Sequence, residues 1–286
     1  MVTLVQPISG WRIYLDPLIF ISPRIICIEI RKSMNYPAVV NLSLPKTGST
    51  TIYSYFKAIG ACHEGLHEKT VDLIIDYREG NISLHKLKKL ILRRQNYLNA
   101  SIDSSTFLHL IAEEIVNIYP QCTKYLTVLR DPLEWTKSYL GMLYQFGKNI
   151  EGGSASYDSG WAARYGIFQA AGLDPVFLFK NIHDNDYLKY VSQNLIQFWI
   201  DSELRIFDSV PSEQLYVYRI EDLDQALKKI SEIICADASI MPFTRKFNVS
   251  TTDTIAKEKI HHCLQLSYDL PLTKESLTLY KYLIKV

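Results

Sequence analysis

The sequence predicts an α/β protein with a central, mainly parallel sheet flanked by helices. Three observations point there. Ala38 to Leu44 is an apolar, β-branched run, followed by a short loop and then by helical spacing from Ser49 to Ile59 that ends at Gly60. Lys124 to Leu129 is a second strand-like run, and Asp131 or Pro132 can open the helix after it. Downstream the chain alternates helical and strand-like stretches without repeats or low-complexity tracts, as βα units do. With 286 residues, 48% of them apolar, it can bury a sizeable core as one large domain.

Taken in order, residues 1 to 33 are apolar, poorly periodic and ahead of the first expected strand, so they read as an extra hairpin or an upstream extension. Met34-Asn35-Tyr36-Pro37 is the natural start of a single domain running to residue 286. Asp16, Pro23, Arg24 and Glu29 break the N-terminal stretch before it reaches the ~18 apolar residues of a membrane span. A net charge of +1 gives no reason to expect a nucleic-acid partner. Five scattered cysteines without CxxC spacing suggest a reducing, cytoplasmic setting. Four Asn-x-Ser sequons, at Asn41, Asn81, Asn99 and Asn248, read as accidental, because Asn41 lies inside a strand where no glycan fits.

Pro45-Lys46-Thr47-Gly48 joins the first strand to a helix opening with Ser49-Thr50-Thr51. Free N–H groups and the positive end of the dipole converge at a helix start, which makes this loop a candidate phosphate site. It is not a Walker A loop, since its lysine precedes its only glycine. A βα turn alone does not establish a site. The second candidate is Arg130, leaving the C-terminal end of a strand where open sheets bind ligands, with Ser138 eight residues on and about two turns into the next helix.

Together these segments resemble the sulfotransferase family that uses 3′-phosphoadenosine 5′-phosphosulfate (PAPS), in its soluble, bacterial-type form. Lys46-Thr47-Gly48-Ser49-Thr50 is similar to that family's 5′-phosphosulfate loop, and Arg130 with Ser138 to its 3′-phosphate site. Phe198-Trp199 in a helical stretch, then Leu215 to Leu223 ending Ile-Glu-Asp-Leu, is similar to the strand ending in YEDL, with Ile220 in place of the tyrosine. The resemblance implies a P-loop NTPase-like fold, PAPS as donor, 3′,5′-ADP as product and no metal. It places Lys46 on the departing group and Thr47, Gly48, Ser49, Thr50 and Thr51 around the phosphosulfate. The family's Arg-Lys-Gly loop is not evident, and Arg245-Lys246 is its stand-in as a phosphate-binding pair.

A base must take the acceptor's proton. Cys62 to Glu68, read as a polar helix-exit loop, offers His63, Glu64, His67 and Glu68; the first two lie nearest the helix end and are favoured. The acceptor is expected to be a hydroxyl or amine of a carbohydrate or small metabolite, although the sequence does not distinguish these from a lipid or a peptide tyrosine. Competing readings are a nucleotide-dependent kinase and a catalytically silent nucleotide- or polysaccharide-binding protein. Ser83 to Leu98 is a basic amphipathic helix, readable as a solvated face or as a dock for an anionic acceptor. Asp103 or Ser104 is expected to cap a following helix that buries Leu108, Ile111, Ala112 and Ile115 and stops before Pro120. Residues 151 to 160 form a Gly/Ser-rich loop flanked by aromatics, Gln225 to Ile234 a helix, and Leu277 to Leu283 a tail helix over the sheet edge.

Overall fold

A computed structural model describes residues 36–154, 173–234 and 254–285. The chain separates at residues 34/35, and the description concerns the second unit, Asn35–Val286. The expectations for residues 1 to 33 and for most of the 151 to 160 loop lie outside the described residues.

Five strands form one wholly parallel sheet: β1 (Val39–Asn41), β2 (Ala61–His63), β3 (Ile102–Ser104), β4 (Lys124–Leu129) and β5 (Leu215–Arg219), in the order β2-β3-β1-β4-β5. The central strand β1 is shorter than its apolar run. Asn41 Oδ1 accepts the Ser43 N–H (3.1 Å) and its Nδ2 donates to Ser104 Oγ (2.9 Å), which turns the chain out of the ladder early. Asn41 is also fully buried, as the sequon argument requires.

The helices are α1 (Ser49–Phe56), α2 (His67–Arg78), α3 (Leu84–Leu98), α4 (Ala112–Ile118), α5 (Pro132–Glu151), α6 (Pro175–Lys180), α7 (Asn185–Ser209), α8 (Leu223–Ile234), α9 (Thr254–Ser267) and α10 (Pro271–Leu283). Strand alternation sorts them into two layers. Leu126 and Val128 of β4 face a cluster with Ile52 and Phe56 of α1 and Leu227 and Ile230 of α8. Tyr125 and Leu129 face the larger cluster, built with α2 to α7, α9 and α10.

Local signals were read with varying success. Gly60 caps the α1 segment with φ 90°, Ser83 caps α3 by accepting from the Lys86 N–H (3.3 Å), and Asp131 caps α5 ahead of Pro132 by accepting from the Leu133 N–H (2.9 Å). Cys62-His63, expected in a loop, lies in β2, and Asp103 and Ser104, expected as caps, lie in β3. A 3-10 turn, Thr106–Ile111, precedes α4, and its apolar residues are buried as expected. The tail helix α10 packs mainly on α7 and α5, where Tyr280 meets Trp199 edge-on at 6.3 Å, rather than over a strand edge. Glu68, Asp72 and Asp76 stay exposed on α2, which packs against α3 with its exposed Lys86, Lys88, Lys89 and Arg93. The two helices together carry exposed charges of both signs.

Candidate functional site

The loop between β1 and α1 is tightly specified. Lys46 (φ 70°) and Gly48 (φ 100°) both take left-handed backbone, unfavourable for lysine and easy for glycine. A Cβ on Gly48 would also stand 3.1 Å from Ile220 Cδ1 and 3.2 Å from Leu223 Cδ2, so the Ile-Glu-Asp-Leu segment packs directly on the glycine. Thr47 is fully buried and its hydroxyl donates to the Leu44 carbonyl oxygen, so Thr47 serves the loop's shape and keeps its side chain from solvent. From α5, Trp135 Nε1–H donates to the Pro45 carbonyl oxygen (2.7 Å), while Trp135 stacks on Tyr139 and Phe198. The backbone N–H groups of Ser49 and Thr50 belong to the first turn of α1, ahead of any intrahelical acceptor, whereas the Thr51 N–H already donates to Gly48 (2.9 Å).

Arg130 leaves the end of β4 and its Nη1 donates to the Lys46 carbonyl oxygen (3.2 Å). The two segments singled out in the sequence therefore touch. Arg130 and Ser138 line one pocket of about 160 Å³ together with Lys137, Lys257, Glu134, Gly141 and Ile260. Burial, and then the Arg130 charge, push the Lys46 ammonium below the ordinary lysine value. Lys137 and Lys257 were missed. Lys137 sits one residue before the recognised Ser138, while Lys257 comes from α9 and carries no local signal. Arg245 and Lys246 lie outside the described residues.

On the other side of β1, His63 ends β2. Its Nδ1 lies 3.0 Å from the Ser104 carbonyl oxygen, an acceptor only, so Nδ1 carries the proton; Nε2 then accepts from Thr50 Oγ1 at 3.3 Å. Tyr53 stacks on the same ring at 5.8 Å. Glu64 accepts from Thr106 Oγ1 (2.7 Å) and from His67 Nδ1–H (2.9 Å), while Glu68 is exposed in the first turn of α2. His63 is thus bonded to Thr50 in the first turn of α1. Among the described residues no group of three or more His, Cys, Asp or Glu is placed to hold a metal ion, and no helix is long and apolar enough to cross a membrane.

No curated protein matches the chain. A crystal structure of a sulfotransferase from Alicyclobacillus acidocaldarius is similar over 86% of this chain and 99% of that one, at 11% identity and a TM-score of 0.44. The family model described as a sulfotransferase domain matches residues 38–246, well over half of the chain. That span runs from β1 through the loop, Arg130 and Ser138 to beyond β5, and the chain belongs to the sulfotransferase family.

Proposed function

We propose that the chain transfers a sulfuryl group from PAPS to a hydroxyl or amine of a small molecule or saccharide, releasing 3′,5′-ADP, in a reducing, cytoplasmic setting. The observation that carries this reading is the contact of Arg130 with Lys46, which sets the β1–α1 loop beside the pocket that Arg130 and Ser138 line, and we read the two as one cleft. A nucleotide with anionic groups at both ends suits such a cleft, and the cationic pocket beside Ser138 fits a 3′-phosphate that ATP lacks, against the kinase alternative.

When bound, PAPS supplies the activated sulfuryl group; the chain supplies charge and position. Lys46, Thr47, Gly48, Ser49, Thr50 and Thr51 hold the 5′ end, and Arg130 and Ser138 hold the 3′-phosphate, with Arg245 and Lys246 assigned to phosphate from the sequence. The Lys46 ammonium, destabilised by burial and by Arg130, gains more from an arriving anion than an exposed lysine would, and it faces the charge that grows on the leaving oxygen. His63 takes the acceptor's proton at Nε2, because Ser104 fixes the tautomer that leaves a lone pair there. Glu64 is the second choice, its carboxylate already accepting two hydrogen bonds.

Thermal shifts with 3′,5′-ADP, ADP and 5′-AMP test the donor assignment. Stabilisation by 3′,5′-ADP on the order of 5 °C or more at a hundredfold excess over its Kd, with much smaller shifts for the other two, is expected. Equal shifts for all three would refute it.

A further inference from the structure

Arg94 is the one residue of α3 whose charge is turned inward, its side chain only 4% exposed. It forms a two-pronged pair with Asp103, through Nη1 to Oδ2 and Nη2 to Oδ1 (3.2 Å). Nη2 also donates to Ser105 Oγ (2.6 Å) and to the Gly65 carbonyl oxygen (3.2 Å), and Nε to Thr70 Oγ1 (2.8 Å). Burying such a pair costs desolvation that its attraction barely offsets, so its presence argues for placement more than for stability.

What it places is the surroundings of His63. Asp103 and Ser105 flank Ser104, whose carbonyl oxygen accepts the His63 Nδ1–H. Gly65 lies two residues beyond His63, in a turn where Glu64 (φ 53°) and Leu66 (φ 51°) both adopt left-handed backbone. A Cβ on Gly65 would collide with Cys62 Sγ and Leu98 Cδ2, so the turn is also sterically confined. Both are strained for residues other than glycine, and a turn of this kind persists only when its surroundings hold it. Arg94 grips both ends of the arrangement: the strand that offers the carbonyl and the turn by which the chain leaves the imidazole.

We propose that Arg94, paired with Asp103, is a positioning residue that fixes the ring orientation and tautomer of His63, keeping Nε2 unprotonated beside Thr50. This rests on the reading of His63 as the base. Without the clamp the 64–66 turn relaxes, the Ser104 carbonyl shifts, and the imidazole reverts to the mixture of tautomers of an unrestrained histidine.

The test is nitrogen NMR of ¹⁵N-histidine-labelled full chain, with His63 assigned by its loss in His63→Gln. Wild type should show the Nδ1–H tautomer. Arg94→Lys, which keeps a charge for Asp103 but loses the reach to Gly65 and Ser105, should show mixed tautomers, while 3′,5′-ADP affinity by calorimetry stays within about twofold. Retention of the wild-type tautomer in Arg94→Lys overturns the proposal, and so does a wild-type His63 that is not Nδ1-protonated. A merely structural role predicts joint loss of melting temperature and nucleotide affinity without a change of tautomer in the folded fraction. If Arg94→Lys does not fold, Ser105→Ala keeps the ion pair and removes one arm; a partial shift towards Nε2–H supports the proposal and none refutes it. Wild type failing to bind 3′,5′-ADP would instead sink the donor assignment, and the tautomer result would stand independently.

Discussion

Lys46 concentrates the cost and the use of the site in one side chain. Its folded-state pKa lies below the ordinary lysine value of 10.5 because burial and Arg130 both disfavour the charged form. While the folded lysine is protonated it carries this penalty, which fades as pH rises through the depressed value toward 10.5. Lys46→Met should therefore raise the melting temperature of the ligand-free chain at pH 7 while cutting turnover of PAPS by far more than it weakens 3′,5′-ADP binding. Parallel calorimetry and kinetics check this, and equal losses in affinity and turnover would remove Lys46 from the transition state. The loop was legible because its signal is local: proline, lysine, threonine and glycine between a strand and a helix. Arg94 was not, although Leu87, Ile91, Arg94 and Leu98 follow one helical stripe and an arginine inside an apolar stripe needs a buried partner.

Among the elements, α5 does more than carry Ser138. Phe198 of α7 stacks on Trp135, and Trp135 in turn donates to Pro45, so two helices on one face of the sheet brace the loop at its edge. Trp135→Phe keeps the stacking but leaves the Pro45 carbonyl oxygen without this donor. It should cost about 1–3 kcal/mol in chemical denaturation and weaken 3′,5′-ADP binding without altering His63. Unchanged nucleotide affinity would show that the loop holds its shape alone. The long helices and β4 were readable from periodicity, whereas β2 and β3 were not. Strands of three residues have no period to detect, and Asp103 in β3 is tolerated because Arg94, on the preceding helix, neutralises it.

For the whole molecule, two buried groups set how stability depends on pH. Glu203 on α7 is fully buried, and burial raises it to about 8, with Thr127 partly opposing. Its folded pKa lies above the unfolded one, so stability is full at acidic pH and falls as pH rises from about 4.5 through 8. His109, whose Nδ1–H donates to the Thr106 carbonyl oxygen, is lowered by burial to about 3, so stability falls as pH drops from about 6.5 towards 3. The two slopes oppose each other between about 4.5 and 6.5, where their joint contribution peaks. Glu203→Gln should flatten the alkaline limb of a melting-temperature profile and leave the acid limb in place. Unchanged alkaline sensitivity would show that another group titrates.

The strand order has a consequence for how such a chain can change over time. With β1 in the middle, β4 delivers Arg130 on one flank, while β2 and β3 deliver His63 and Ser104 on the other. Tolerance to substitution is thereby partitioned: changes around β2 and β3 that spare His63, Arg94, Asp103 and Ser104 alter one flank and leave the Arg130 flank as it is.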